Sequence, residues 1–476
     1  MGSRGSRLTA RISSKCIRML WRPRLISSSF FAFLVTICFG AHSVEIEGES
    51  RVRFESLSDN FRKDLTGSDQ LLLLRNLAHV TLEKGEVNVG LELQDSRTYF
   101  GDDGTPLTNS FTNPFDILQL YIEQPLPASS SANGWKVKAK LGRQTLSLGS
   151  KRQIERVSFA NVIKSYTGAY ISGTSSLGTE LHSFYVVPIA RLPNRRQPLT
   201  DNQFKRDKEQ WQRRIWGLHL RHPFRSVVGR GPNWVEAFAY GLDEKDHQTF
   251  QTADRHYTTF GFRLYRPETE VGFNYDLEAA IRKGSRHLTT RPSDNTDLKV
   301  NAHMMIARFG YTFDHPWQPN IAFQYYYASG DKTPEDGRFD QYERLFGGRR
   351  TDLNNTSIHG PLTPANLRAP GIRLQVGSGN DWDARLHYSR ASLAEAKDRF
   401  VIGQFRDTTG LAGSFLGHAI DTRWRRHFSR SHSTIDLGYS YFSPGHYLKQ
   451  LDTTSMPTHF GYVQWIKRFS SQTNDI

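Results

Sequence analysis

The chain of 476 residues is poor in cysteine: it has two, Cys16 and Cys38, both near its start. From residue 44 onward there is therefore no disulfide framework, thiol nucleophile or Cys-ligated zinc site. Long apolar runs are also missing, and no stretch reaches the roughly 18 residues of a membrane-spanning helix. Only 37% of the residues are hydrophobic, yet 12% are aromatic and 38 are glycine, a mix that suits strands and turns better than apolar helices. Acidic residues are absent from 1–43, which hold seven basic ones. Residues 44–476 keep 55 basic against 47 acidic residues, a net +8 that is too mild to indicate nucleic-acid binding. The 17 histidines show no His-Glu-x-x-His spacing, and no nucleotide-binding loop or nucleophile elbow is present.

Residues 1–43 read as an export signal. The basic region ends at Arg24, an apolar stretch runs from Phe30 to Phe39, and Ala41-His42-Ser43 offers a cleavage site before Val44. The apolar stretch is too short to serve as an anchor. Export without cysteine or a spanning helix points to the periplasm or the outer membrane.

The mature chain repeats with period two. Val44, Ile46, Gly48, Ser50, Val52 and Phe54 alternate with Glu45, Glu47, Glu49, Arg51, Arg53 and Glu55. Val271, Phe273, Tyr275, Leu277, Ala279 and Ile281 likewise alternate with polar residues. About 18 such strands are expected between 44–57 and 457–469, joined by alternately long and short connections. Long ones include 99–114, 143–162, 190–211, 284–297, 329–370 and 391–411; short ones include Glu83–Glu86, Pro267–Glu270 and Ser378–Asp381. A soluble β-sandwich or β-helix would show short, uniform turns instead. The expected fold is a closed transmembrane antiparallel β-barrel, with short periplasmic turns and long extracellular loops. It needs no apolar core, because closure satisfies every backbone group and one apolar row per strand faces lipid. Trp135, Trp211, Trp216, Trp234, Trp317, Trp382, Trp424 and Trp465 are placed for the interfacial girdles.

If apolar rows face lipid, the opposite rows line the lumen. These hold Arg51, Arg53, Lys136, Lys138, Lys140, Arg213, Arg221, Arg263, Arg282, Arg308, Arg373, Arg385, Arg423 and Arg425. They also hold Glu45, Glu47, Glu49, Glu55, Glu92, Asp276, Glu278, Asp383, Asp421 and Asp436. Such rings favour anions mildly, and Arg holds carboxylates in bidentate geometry. The alternative is that these charges pair across strands and stiffen the wall. Arg308, Arg373 and Arg423 are the favoured pore residues. Arg349-Arg350 and Arg423–Arg426 are basic segments suited to acidic lipopolysaccharide or cargo. Asp102-Asp103-Gly104 and Gly330-Asp331 with Glu335-Asp336-Gly337 are oxygen-rich enough for Ca²⁺ but lack the spacing of a Ca²⁺ loop, which favours plain turns; no other cofactor is expected.

Several segments resemble the alginate-export family of outer-membrane proteins. They are Leu91–Arg97, Asp116–Glu123, Leu141–Gly149 with Arg152, and Tyr327–Asp331 with Pro334, Asp336-Gly337 and Phe339. Gly417–Asp421 and Leu437–Gly445 complete the set. The resemblance implies an outer-membrane channel for an acidic polysaccharide such as alginate, working as a monomer amid lipid and lipopolysaccharide, with periplasmic export machinery as a further partner. The readings beside it are a general or organic-anion porin, and a secreted all-β enzyme or binding protein for acidic polysaccharide.

Overall fold

The computed structural model describes residues 43–127, 134–225, 231, 233–246, 250–379 and 381–474. Of the expected leader, residues 1–42 with Cys16 and Cys38 lie outside the described residues, while Ser43 opens the first strand ahead of Val44. In chain order the strands are β1 (Ser43–Ser58), β2 (Asp69–Lys84), β3 (Val87–Tyr99), β4 (Asn113–Leu126), β5 (Lys136–Gln144), β6 (Tyr166–Thr174) and β7 (Glu180–Ala190). They continue with β8 (Lys208–Glu209), β9 (Arg213–Phe224), β10 (Asn233–Glu244), β11 (His256–Arg266), β12 (Gly272–Arg286), β13 (Leu298–Thr312) and β14 (Asn320–Ala328). The last are β15 (Arg338–Phe339), β16 (Leu367–Gly377), β17 (Trp382–Ser392), β18 (Phe415–Phe428), β19 (Ser433–Pro444) and β20 (Thr458–Asn474). β8 and β15 are two-residue strands in loops; the other 18 form a closed antiparallel barrel.

Closure is made by β1 and β20, paired from Ser43↔Asn474 to Ser58↔His459. Gly48 sits in this seam because a Cβ there would lie 1.9 Å from the Phe469 ring. Exposed apolar rows alternate with buried polar ones: Phe260, Phe262, Ile281, Phe309, Ile321 and Phe323 point outward, whereas Arg263, Glu278, Arg282, Arg308 and Gln324 point inward. This is the arrangement that lipid on one side and a polar interior on the other require. Trp211, Trp317 and Trp465 are exposed, and Trp317 meets Trp382 edge to face at 6.1 Å.

Ser43 at the start of β1 and Asn474 at the end of β20 share one rim with the short turns. At the tightest of these, Gly85 takes φ +61 next to Glu86, which permits a two-residue hairpin. The 429–432 connection is likewise short, with a 3-10 turn at Ser429–Ser431. The other rim carries the long loops, which hold the two short helices α1 (Arg196–Thr200) and α2 (His446–Leu451). One boundary differs from the sequence expectation. β16 begins at Leu367 and pairs Pro370 with Tyr325, so the long loop before it ends at residue 366.

Candidate functional site

The bore is not an empty cylinder. The β5–β6 loop (145–165) and the β14–β16 loop (329–366) both enter it and bind each other. Ile154 and Phe346 form a parallel bridge, the Phe346 amide donates to the Gln153 carbonyl at 2.8 Å, and the Tyr342 hydroxyl donates to Gln153 Oε1 at 2.8 Å. Leu146, Leu148, Ile154, Tyr342, Leu353 and Leu362 are buried in one apolar cluster with wall residues such as Tyr240 and Tyr326. Burial of this apolar surface supports the inward fold.

Ionic locks fix its position. Arg152 places Nη2 2.6 Å from Asp276, Nη1 2.7 Å from Glu278 and Nε 2.9 Å from Asp352. Asp276 also accepts from Arg263 at 2.7 Å, and Asp352 from Arg308 at 2.6 Å. Burial alone would lower the Arg152 pKa, but the three carboxylates hold it well above its ordinary value. Burial would raise Asp352, yet Arg152 and Arg308 hold it well below the usual carboxylate range. Arg373 and Arg385 donate to the Thr351 carbonyl at 2.7 and 3.3 Å, and Asp421 accepts from the Asn355 amide at 2.8 Å.

Under these loops lies a cavity of about 430 Å³ with a different charge balance. Its cations are Arg53, Arg62, Lys164, Arg191, Arg344, Arg349, Arg350 and Arg385; its one acid is Glu155. Most of these cations rest on neutral carbonyls. Arg62 donates to Ile358 at 2.8 Å, Arg349 to Gly360 at 2.7 Å, Arg344 to Gly347 at 2.8 Å, and Lys164 to Phe346 at 3.3 Å. None of those four, nor Arg191 or Arg385, has a carboxylate at ion-pair distance among the described residues. Burial first, then the neighbouring Arg344 and Arg191 charges, press the Lys164 pKa well below its ordinary value. Arg349 is lowered by burial and by Arg344 and Arg62. Burial pushes the Glu155 carboxyl up from its ordinary value. Phe159 is held between two guanidiniums, Arg53 at 4.0 Å and Arg350 at 3.7 Å from its ring centre.

The residues read as pore-lining from sequence divide into groups. Arg53 and Arg385 reach the basic cavity. Arg51 holds the carbonyls of Ser158, Phe159 and Ala160. Arg263, Arg308, Asp276 and Glu278 belong to the Arg152 lock, and Arg373 and Asp421 pin the second loop. Of the remaining ones, Arg423 and Arg425 pair with Asp383 and Arg213 with Glu244 along the wall, and Glu92 holds Arg156 of the β5–β6 loop. Lys138 is half exposed, 3.6 Å from Glu123, and is not among the residues that line the cavity. Period-two reasoning missed Arg62, Lys164, Arg191 and Arg344, because loop residues carry no alternation. The Arg349-Arg350 pair was the one loop signal visible in the sequence. The Asp102 and Asp336 segments form turns, closed by Thr105 N to Asp102 O at 3.0 Å and Asp336 N to Thr333 O at 3.2 Å. No group of three or more His, Cys, Asp or Glu side chains among the described residues is arranged to hold a metal ion.

Known proteins place this architecture. The chain matches the alginate-export family over residues 43–462. No curated protein sequence matches it. Among solved structures it is similar to OccAB1 of Acinetobacter baumannii, with 12% identity, a TM-score of 0.57 and coverage of 90% of this chain and 96% of that one. It is also similar to a BenF-like porin from Pseudomonas fluorescens Pf-5, with 10% identity, TM-score 0.57, and coverage of 90% and 99%. A third similar structure is Pseudomonas aeruginosa OccK2 (OpdF) in complex with glucuronate, with 11% identity, TM-score 0.54, and coverage of 90% and 98%. These likenesses establish the porin-type barrel fold. The chain belongs to the alginate-export family and is an outer-membrane channel barrel rather than an enzyme.

Proposed function

We propose that the channel passes anions, and that its basic cavity receives carboxylate-bearing saccharides such as uronates. One observation carries this reading: of the eight cations that line about 430 Å³, six (Arg62, Lys164, Arg191, Arg344, Arg349 and Arg385) have no carboxylate at ion-pair distance among the described residues, and Glu155 is the one acid of the lining. A buried charge without a counter-ion is costly, and a carboxylate offers guanidiniums a charge-assisted, bidentate partner in place of a neutral carbonyl. Family membership supports an acidic saccharide as cargo. The interlocked loops favour short uronate segments threading past the loops over a wide aqueous bore. Each chain encloses its own bore and works as a monomer surrounded by lipid and lipopolysaccharide; periplasmic machinery feeding the channel remains part of the proposal.

The test is block of single-channel current by oligouronates in planar bilayers. Micromolar block, equivalent to about −8 kcal/mol of binding, supports the reading. Conductance that is indifferent to uronate reduces the protein to a general porin. No conductance at all, with protein that stays in solution without detergent, contradicts the channel reading.

A further inference from the structure

A short arc of chain, Val157–Ala160, runs into the basic cavity from Arg156, which lines a second cavity toward the periplasmic rim. The second cavity has about 520 Å³ and is lined by Glu49, Leu77, Glu92 and Arg156 among others. The arc itself lines the basic cavity. Both of its ends are fixed. Arg156 is paired with Glu92, and Asn161 donates to the Phe111 carbonyl at 2.7 Å and accepts from Arg51 at 2.9 Å.

The way the arc is held is unusual. Arg51 on β1 and Arg75 on β2 stand directly opposite each other across the strand pair, an arrangement of like charges that disfavours pairing. With Arg53 they converge on three consecutive carbonyls. Arg51 donates to Ser158 and Ala160 at 3.0 Å each, Arg75 to the same two at 2.8 and 2.7 Å, and Arg53 to Phe159 at 2.7 Å. All three arginines are at most 2% exposed. Glu49 partners Arg75 and Glu55 partners Arg53, but Arg51 has no carboxylate at ion-pair distance among the described residues. The Nε groups of Arg51 and Arg75 are buried with no hydrogen-bond partner. Val157, which opens the arc, has φ +53, a conformation a β-branched residue resists. Strain retained at such a position, held by surrounding contacts, is the kind that accompanies a moving element.

We propose that Arg51, Arg53 and Arg75 form an inner carboxylate site, that the carbonyls of Ser158–Ala160 fill it in this structure, and that an arriving carboxylate displaces the arc and opens the passage. The proposal rests on the anion-channel reading above and adds to it the gate and the group that moves. The carbonyls mimic the ligand's oxygens without its charge. A carboxylate supplies the missing counter-charge at Arg51 and releases Val157 from its strained conformation.

Hydrogen exchange on the full mature chain in detergent, with and without glucuronate and with glucose as the neutral control, tests this. Ligands ordinarily slow exchange; here the Ala160 amide, bonded to the Val157 carbonyl at 3.0 Å, is expected to exchange about tenfold faster in glucuronate and unchanged in glucose. Arg51→Gln is expected to leave the arc exchanging fast whether or not glucuronate is present. Should that variant fail to fold, Val157→Gly keeps all three guanidiniums and removes the strain, so the glucuronate response shifts to higher concentration. Slower or unchanged exchange of the arc in glucuronate overturns the proposal. The same preparation in bilayers separates the two readings: anion preference with an unmoved arc refutes the gate alone, whereas absence of anion preference refutes the anion-channel reading on which the gate rests.

Discussion

Two clusters of arginine share the interior of this barrel. Along β10–β13, Arg152, Arg263 and Arg308 meet Glu236, Asp276, Glu278 and Asp352, each guanidinium against at least one carboxylate. Toward β1 and β17, Arg62, Lys164, Arg191, Arg344, Arg349 and Arg385 rest on carbonyls, with Glu155 as the cavity's single acid. Residue type is alike in the two places; exposure and charge balance are not, since Arg152, Arg263 and Arg308 are buried whereas Lys164, Arg191, Arg344 and Arg349 are partly exposed. A saturated network holds loops in position and has no free capacity for a solute. An unsaturated one carries an electrostatic deficit that a passing anion relieves. A count of lumen arginines therefore overstates the number available to cargo.

The comparison is broken most severely at Arg152. Arg152→Gln leaves Asp276, Glu278 and Asp352 without the guanidinium they share, a loss of about 3–5 kcal/mol. Lower thermal resistance in the heat-shift gel assay and a several-fold rise in resting conductance are expected. A variant with unchanged stability and conductance would show that the lock does not hold the loops. The opposite cluster should respond in selectivity rather than stability. Arg344→Gln and Arg349→Gln each remove a cation without stranding a carboxylate, and each is expected to weaken uronate block by about 1.5–3 kcal/mol, with little change in thermal resistance. Equal weakening by Arg263→Gln would erase the distinction between the two clusters.

A smaller effect concerns the 191–212 loop on the outer rim. The Asp207 carboxyl, which accepts from Asn113 at 2.9 Å and from the Leu192 amide at 2.6 Å, is pushed up to about 8 by burial and by Asp116. Its folded-state pKa is raised, so its contribution is complete below the ordinary carboxylate range, declines as pH rises, and is gone above about 8. Proteolytic cleavage of this loop is expected to quicken across that window, and Asp207→Asn to flatten the dependence. The smallest effect is assigned to Lys138→Gln. Its side chain is 55% exposed beside Glu123, so removing it should cost about 0.5 kcal/mol or less and leave selectivity unchanged.

The walls were legible in the sequence for a physical reason. Lipid demands an apolar residue at every second position, so rows such as Val271–Ile281 declare both the strand and its outward face. Local turn chemistry at Gly85 and at 429–432 set the short rim. The contents of the bore were not legible. Arg152 finds Asp276 and Asp352, 124 and 200 residues away, and Arg62 finds the Ile358 carbonyl 296 residues away. No periodicity encodes such encounters, since they depend on loops folding into a space that exists only once the barrel closes. Alternation thus identified Arg263 and Arg308 as inward-facing, but it did not separate them from Arg53 and Arg385, whose surroundings differ.

The central claim is that an uncompensated cationic cavity controls the passage. The zero-current potential of the mature protein in a planar bilayer under a potassium chloride gradient tests it most directly, because the sign alone reports which ion crosses more freely. The account predicts the sign for chloride, with the potential moving toward zero in the Arg344→Gln, Arg349→Gln double variant. A potential of the sign for potassium, or one that the double variant leaves unmoved, would contradict it.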